Sequence, residues 1–270
     1  MRITALNIYP IKGCRGVAVT SVDVDRLGLV GDRRLMLVDD QDHFITQREV
    51  PALATVTASI TVQLDRAAVI VDAANHAPLT VHIDPDASPR NVTIWDDNVI
   101  VAADQGDVAA RWFSDAIAKS CRLVAFGGKS HRLIDARYSP HADAETAFTD
   151  GYPIMAALQE SFDDLNARLV DPVPIQRFRP NVVIRGAKAW SDDDWKAMKL
   201  GTLDCDAVKP CERCVVITTD QVTGARSAHQ EPLRTLATFR TIPGRGAIFG
   251  QNLVPRNSGT LRVGDLVALM

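Results

Sequence analysis

Short strand-like runs follow one another along most of the chain, and they constrain the fold more than any other feature. In the first hundred residues these are "VAVTSVDVD", "RLMLVDDQDHFITQR", "ASITVQLDRAAVIVDA" and "APLTVHI". The second of them predicts a hairpin turning at Asp39-Asp40-Gln41-Asp42, because Asp favours turns. Strands resume at "NVVIRG", "TLDCDAV", "CVVITT", "GQNLVP" and "TLRVGDLVAL". Only three segments have helical period. Residues 106–119 place Val108, Trp112, Phe113, Ala116 and Ile117 on one face. "SFDDLNARL" pairs a Ser161/Asp164 capping pattern with Phe162, Leu165 and Leu169 on one side, and "EPLRTLATF" is a short third helix. Strands outnumber helices and do not alternate with them regularly, which argues against a doubly wound sheet. The chain reads as α+β, predominantly β: two barrel-like domains with a few packed helices. Residues 1–125 form one and 126–270 the other, with the passage at the loop-like "KSHRLIDARYSPHADAETAFTDGYP".

Composition narrows function by exclusion. There are 30 basic and 33 acidic residues, for a net charge of -3 and no basic tract, so nucleic acid and polybasic membrane binding have no electrostatic support. No apolar run approaches the length of a membrane span. The N-terminus "MRITAL" reads straight into a strand rather than a leader. Five cysteines, odd in number and sparse, predict a reducing, cytoplasmic setting.

Two of those cysteines form a Cys-x-x-Cys, Cys211 and Cys214, in "KPCERCVVITTDQVTG". Structural zinc needs a second ligand pair. The histidines are scattered, so only an unusual set of Cys205, Cys211, Cys214 and His229 is conceivable. A thioredoxin-like pair needs a helix at the first thiol, and the β-branched run after Cys214 predicts a strand instead. The plainest reading is two buried thiols. It suits Cys214 at the head of an apolar strand and Cys205 in "LDCDAV", but suits Cys211 less well. Cys211 follows Pro210 in a polar turn between Lys209 and Arg213, where a thiol is placed to be a thiolate and a ligand for a soft metal.

Three further segments have the makings of anion cradles. "YPIKGCRG" sets Lys12 beside Gly13 and Gly16 just after a strand, where backbone amides can approach an anion closely. In "RFRPNVVIRG", Arg177, Arg179 and Asn181 alternate along an extended stretch, and "GDRRLML" adds Arg33. Singly, each is as well explained by a solvated turn or a surface ion-pair face.

Taken in order, "YPIKGCRG", "GDRRLMLV", "FTDGYPIM", "SFDDLNARL", "FRPNVVI", "PCERCVVITTDQVTG", "EPLRTLATFR", "IFGQN" and "GTLRVGD" resemble the MOSC-domain family, nearest to the amidoxime-reducing components and their bacterial relatives. The resemblance implies a molybdenum cofactor, molybdenum held by a molybdopterin dithiolene, with Cys211 as the protein ligand and Cys214 outside the metal sphere. It implies cofactor contacts at Lys12, Gly13, Arg33, Arg179 and Asn181. Gly13 stands where relatives often carry Ser, so a hydroxyl contact is lost there. The implied activity is reduction of N-hydroxylated small molecules (amidoximes, hydroxylamines, N-hydroxylated bases) by oxygen abstraction at molybdenum. The alternative is a cofactor carrier or sulfur-transfer accessory protein without small-molecule turnover. Neither the anchoring extension nor the iron–sulfur tail of some relatives is expected. No Gly-x-Gly-x-x-Gly follows a strand, so electrons are expected from a separate ferredoxin-like or haem-type carrier with its reductase.

Overall fold

The computed structural model describes residues 1–63, 66–95 and 98–270. Its centre is a nine-stranded sheet. Along the sheet the strands run Val267–Leu269, Ala197–Leu200, Leu203–Glu212, Gly246–Pro255, Ile154–Leu158, Val182–Arg185, Arg2–Ile8 and Val17–Val19, with Thr241–Ile242 as a side branch. The chain's first strand thus lies in one sheet with strands from the second half. A four-stranded sheet joins Leu35–Val38, Arg122–Ala125, Asn98–Asp104 and Pro89–Ile94. Two three-stranded sheets complete the set: Gly259–Arg262 with Ser21–Asp25 and Gly28–Leu29, and Thr57–Gln63 with Arg66–Asp72 and Leu79–His82. Residues 64–65, inside the segment expected to carry those last paired strands, lie outside the described residues.

The α+β, mainly β class is as expected. Closure of each half into a barrel is not: among the described residues the hydrogen-bonded strand paths are open. The large sheet is instead apolar on both faces. Ile154, Ala156 and Leu158 pack into one buried cluster, and Met155 and Ala157 of the same strand into another. Alternating side chains require this when both sheet faces are covered. Strands Ile154–Leu158 and Val182–Arg185 are parallel, so the chain must cross over between them, and the helix Gln159–Asn166 makes that crossing. The crossover returns through Arg177–Asn181 and delivers those residues to the start of a central strand.

Two local expectations are corrected. The "CVVITT" run is a 3-10 turn over Val215–Thr218, not a strand. Thr218 Oγ1 donates to Val215 O at 2.7 Å, a side-chain bond that lets a β-branched residue close a turn. Ser161 does not cap its helix, which begins two residues earlier. It is fully buried, donates to Asp192 Oδ1 at 2.8 Å and accepts from Trp190 N at 2.8 Å. The hairpin expected to turn at 39–42 is present and short: Val38 and Phe44 form an antiparallel bridge, Asp39 N donates to His43 O and Ile45 N to Leu37 O, both at 2.9 Å. The other two helices, Gly106–Ile117 and Leu233–Phe239, stand where expected. Among the described residues no helix is long and apolar enough to cross a membrane.

Candidate functional site

A cavity of about 530 Å³ opens where segments from both halves of the chain converge. Lys12, Gly13, Arg33, Arg179, Asn181 and Cys211, the residues singled out from the sequence, all line it. Among the described residues its walls carry eight cationic side chains against two carboxylates, Asp150 and Glu212.

The floor is organised by a residue the sequence did not flag. Tyr9, buried just before the Lys12 turn, has Arg33 on its ring at 4.1 Å and Arg179 at 4.3 Å, measured from each guanidinium carbon to the ring centre. Tyr9 is itself pinned. Its hydroxyl donates to Pro180 O at 3.2 Å, and its backbone N–H donates to Asp32 Oδ1 at 2.8 Å. One aromatic ring thereby fixes two cations, an arrangement in which cation–π attraction offsets part of their mutual repulsion. Both arginines adopt left-handed backbone, φ 47° at Arg33 and 54° at Arg179. Such backbone costs a non-glycine residue on the order of 1 kcal/mol and recurs at functional sites.

The two cations are not equally compensated. Arg33 pairs with buried Asp32 at 2.6 Å and donates to Asn181 Oδ1 at 3.1 Å. Asn181 Oδ1 also accepts from Met155 N at 3.1 Å, and its Nδ2 donates to Asn7 O at 3.2 Å, so this buried amide orients Arg33 and ties the strands together. Arg179 has no carboxylate within ion-pair distance among the described residues; Nη1 donates only to Gln221 Oε1, at 3.2 Å. Burial, followed by the neighbouring Arg33 charge, pushes the Arg179 guanidinium down to about 10. A half-buried guanidinium in that condition, beside a second cation, calls for an anion. Arg177 adds to the demand: it pairs with Asp220 at 3.1 Å, yet its buried Nε has no partner. The cradle therefore fits a phosphate-bearing cofactor.

Lys12 closes another side. Its Nζ lies 2.6 Å from Asp150 Oδ1 and 5.4 Å from the centre of the Phe44 ring. Burial pushes its ammonium down to about 8, and the Asp150 charge opposes that shift. Asp150 opens to the cavity; burial acts to raise its carboxyl, but Lys12 wins and holds it well below the usual range. The carbonyl of Gly13, a residue at φ 84°, accepts from Gln47 Nε2 at 2.6 Å. Gln47 in turn meets Gln221, the partner of Arg179, at 3.2 Å across 174 residues of sequence. Gln47 and Gln221 are buried and carry the link between the Lys12 and Arg179 segments.

Cys211 is not at a loop tip. It falls near the end of strand Leu203–Glu212, whose register against Gly246–Pro255 shifts between Ala207 and Lys209 and again between Pro210 and Glu212. Bulges re-aim side chains, and Pro210 gives no ladder donor. The expected thiolate is also corrected. Burial, the largest influence, raises the Cys211 thiol above its ordinary value, and Arg213 opposes this only in part. The flanking cations are otherwise engaged: Lys209 pairs with Glu212 at 2.9 Å, and Arg213 donates to Phe249 O at 2.7 Å and Phe178 O at 3.0 Å. Arg213 thus staples the turn that follows Cys211. A thiol of this kind loses its proton on ligating a metal ion. Cys214 is no core residue: it is half-buried, lines the cavity and accepts from Arg48 Nη2 at 3.4 Å. The conceivable zinc set fails, since Cys205 is buried in the cluster on one side of the sheet while Cys211 packs against the cluster on the other. Among the described residues no group of three or more His, Cys, Asp or Glu could hold a metal ion.

One glycine in this region tests the floor. A Cβ at Gly16 would stand 2.3 Å from Tyr9 Cε1 and 2.6 Å from Cδ1. Tyr9 is held at both ends and cannot yield without moving Arg33 and Arg179. Gly16→Ala is expected to cost about 1–3 kcal/mol, the range for overpacking, and to lower the melting temperature of the purified chain by several degrees. Unchanged melting would show that the ring is not clamped.

Residues 1–120 match the MOSC N-terminal beta barrel domain and residues 143–268 the MOSC domain. Mitochondrial amidoxime-reducing component 1 of Mus musculus is 32% identical over 99% of this chain and 82% of its own length. Mitochondrial amidoxime reducing component 2 of Rattus norvegicus is 32% identical over 99% and 83%. The molybdenum cofactor sulfurase of Oryza sativa is 28% identical over 93% of this chain but only 32% of its own length. The chain belongs to the MOSC-domain family and is similar along nearly its whole length to the amidoxime-reducing components.

Proposed function

We propose that the cavity binds a molybdenum cofactor and that the protein reduces N-hydroxylated small molecules to the corresponding amines or amidines. The observation that carries this is the pairing of Arg179, a half-buried guanidinium with no carboxylate in ion-pair distance among the described residues, with a cysteine lining the same cavity. The first is suited to an anionic phosphate and the second to a soft metal. Arg33, Arg179 and Lys12 hold the cofactor, Asn181 orients Arg33, and Cys211 ligates the metal. The cofactor, when bound, supplies the two-electron oxygen-abstraction chemistry. The chain's own residues bind and orient it, and Arg213 keeps the Cys211 strand end in place.

Similarity to a molybdenum cofactor sulfurase favours a second reading, a cofactor carrier or sulfur-transfer accessory protein without small-molecule turnover. Two measurements separate the readings. Metal analysis of the purified chain tests binding, and reduction of a simple amidoxime with a chemical electron donor tests turnover. Loaded protein that never reduces an amidoxime is the carrier.

Electrons for the reductase come from a separate protein. The chain is expected to be inactive with NADH or NADPH alone and to become active with a ferredoxin-like or haem-type carrier and its reductase. Contact with that carrier is weak and salt-sensitive. Substrate-dependent NADH oxidation with and without the carrier is the assay, and full turnover on NADH alone contradicts a separate donor.

A further inference from the structure

Two guanidinium groups of the cavity remain unassigned once the cofactor floor is accounted for. Arg245 sits at the tip of the hairpin that joins Thr241–Ile242 to Gly246–Pro255. The glycines on either side, Gly244 and Gly246, have φ of 77° and 91°, and a Cβ on either would meet nothing within 4 Å. They are glycines for backbone shape rather than packing, and the tip projects into open space. It carries a single long cation, which lines the cavity. Arg245 Nη2 donates to the Tyr138 hydroxyl at 2.5 Å, and its guanidinium carbon lies 5.4 Å from that ring's centre. Lys209 covers the same ring at 5.0 Å but is neutralised by Glu212. Arg245 has no carboxylate in ion-pair distance among the described residues.

Arg48 is placed similarly. Its guanidinium carbon lies 4.5 Å from the centre of the Trp95 ring, and the one hydrogen bond its guanidinium makes among the described residues is to Cys214 Sγ. It too lacks a carboxylate in ion-pair distance among the described residues. An arginine resting on an aromatic ring keeps its in-plane N–H groups available for a planar oxyanion, with an apolar wall beside it.

We propose that Arg245 and Arg48 are specificity-determining residues that bind an oxyanion on the substrate. The site then favours N-hydroxylated compounds that carry a carboxylate or phosphate at the end remote from the N–OH group. This rests on the reductase reading of the same cavity. The volume, about 530 Å³, suits a small molecule, and the cations in question line it instead of spreading over a flat surface.

Four probes decide it: benzamidoxime, its 4-carboxylate, its 4-phosphonate and its 4-aminomethyl derivative. Binding to the purified chain is measured by calorimetry, and reduction with a chemical donor is measured in parallel. Both anions are expected to bind on the order of fivefold more tightly than the neutral compound, with kcat/KM raised alike, and the cation is expected to bind most weakly. A gain for one anion alone identifies which oxyanion the site takes. In Arg245→Ala and in Arg48→Ala the ratio of anion to neutral should fall toward one. Arg245→Lys should retain part of it, and salt should compress it. Equal binding of anion and neutral compound by the wild type overturns the proposal. So does a gap that survives both alanine variants, because the anion then sits elsewhere. If no compound is reduced but the binding gap is present and lost in the variants, the oxyanion mouth stands and the reductase reading falls.

Discussion

Arg179→Ala is expected to reduce cofactor retention by about a hundredfold to ten-thousandfold, the loss of two charge-assisted hydrogen bonds at about 1.5–3 kcal/mol each. The unloaded chain should suffer far less. In it Arg179 is a half-buried cation whose charged form is already disfavoured by desolvation and by Arg33. Removing a charge of that kind relieves a desolvation cost while forfeiting the contact with Tyr9. The sign of the difference is therefore diagnostic. Large loss of cofactor with little change in unloaded melting marks a binding residue, and the reverse marks a structural one. Arg179→Lys should fall between, because an ammonium keeps the charge but not the planar fork. Cofactor retained in full by Arg179→Ala through dilution and gel filtration contradicts the assignment.

The fold was legible where a single local rule was in force. Helix Gly106–Ile117 follows its apolar period and stops where Ala118 turns left-handed, φ 52°. The central strands follow from runs such as "NVVIRG". Reading failed where tertiary contacts overrode propensity. Val215–Thr218 has the β-branched composition of a strand, yet Ile217 and Thr218 are buried in a turn. Ser161 has the look of a cap, yet it serves a buried bond to Asp192 across the 3-10 turn at Ser191–Asp194. At the site, the residue types were visible one motif at a time, but their convergence was not. Nothing in the sequence marks Arg33 and Arg179 as left-handed, since glycine usually signals that conformation. Nor does it join Gln47 to Gln221, or reveal Tyr9 as the platform for both cations. Gly16, whose missing Cβ makes room for that ring, is the one sequence signal that pointed there.

Cys211→Ala carries the second large effect. Ligation by this thiol is what distinguishes the proposed metal site from a general anion pocket, so its loss should abolish metal retention while leaving the fold intact. The thiol is only half-buried. Truncating it costs less than emptying a core position, and folded protein should be recovered for analysis. Cys214→Ala loses the contact with Arg48, 3.4 Å away, and keeps the metal. The two cysteines share the cavity and differ in how the chain presents them: Cys211 at a bulged strand end, Cys214 at the start of a 3-10 turn.

The most direct measurement is molybdenum and pterin content per folded chain for wild type, Cys211→Ala and Cys214→Ala, each expressed with cofactor supply and purified identically. The expected result is molybdenum in the wild type and in Cys214→Ala, and its loss from Cys211→Ala. Equal molybdenum in Cys211→Ala and wild type, or none in the wild type, contradicts the account.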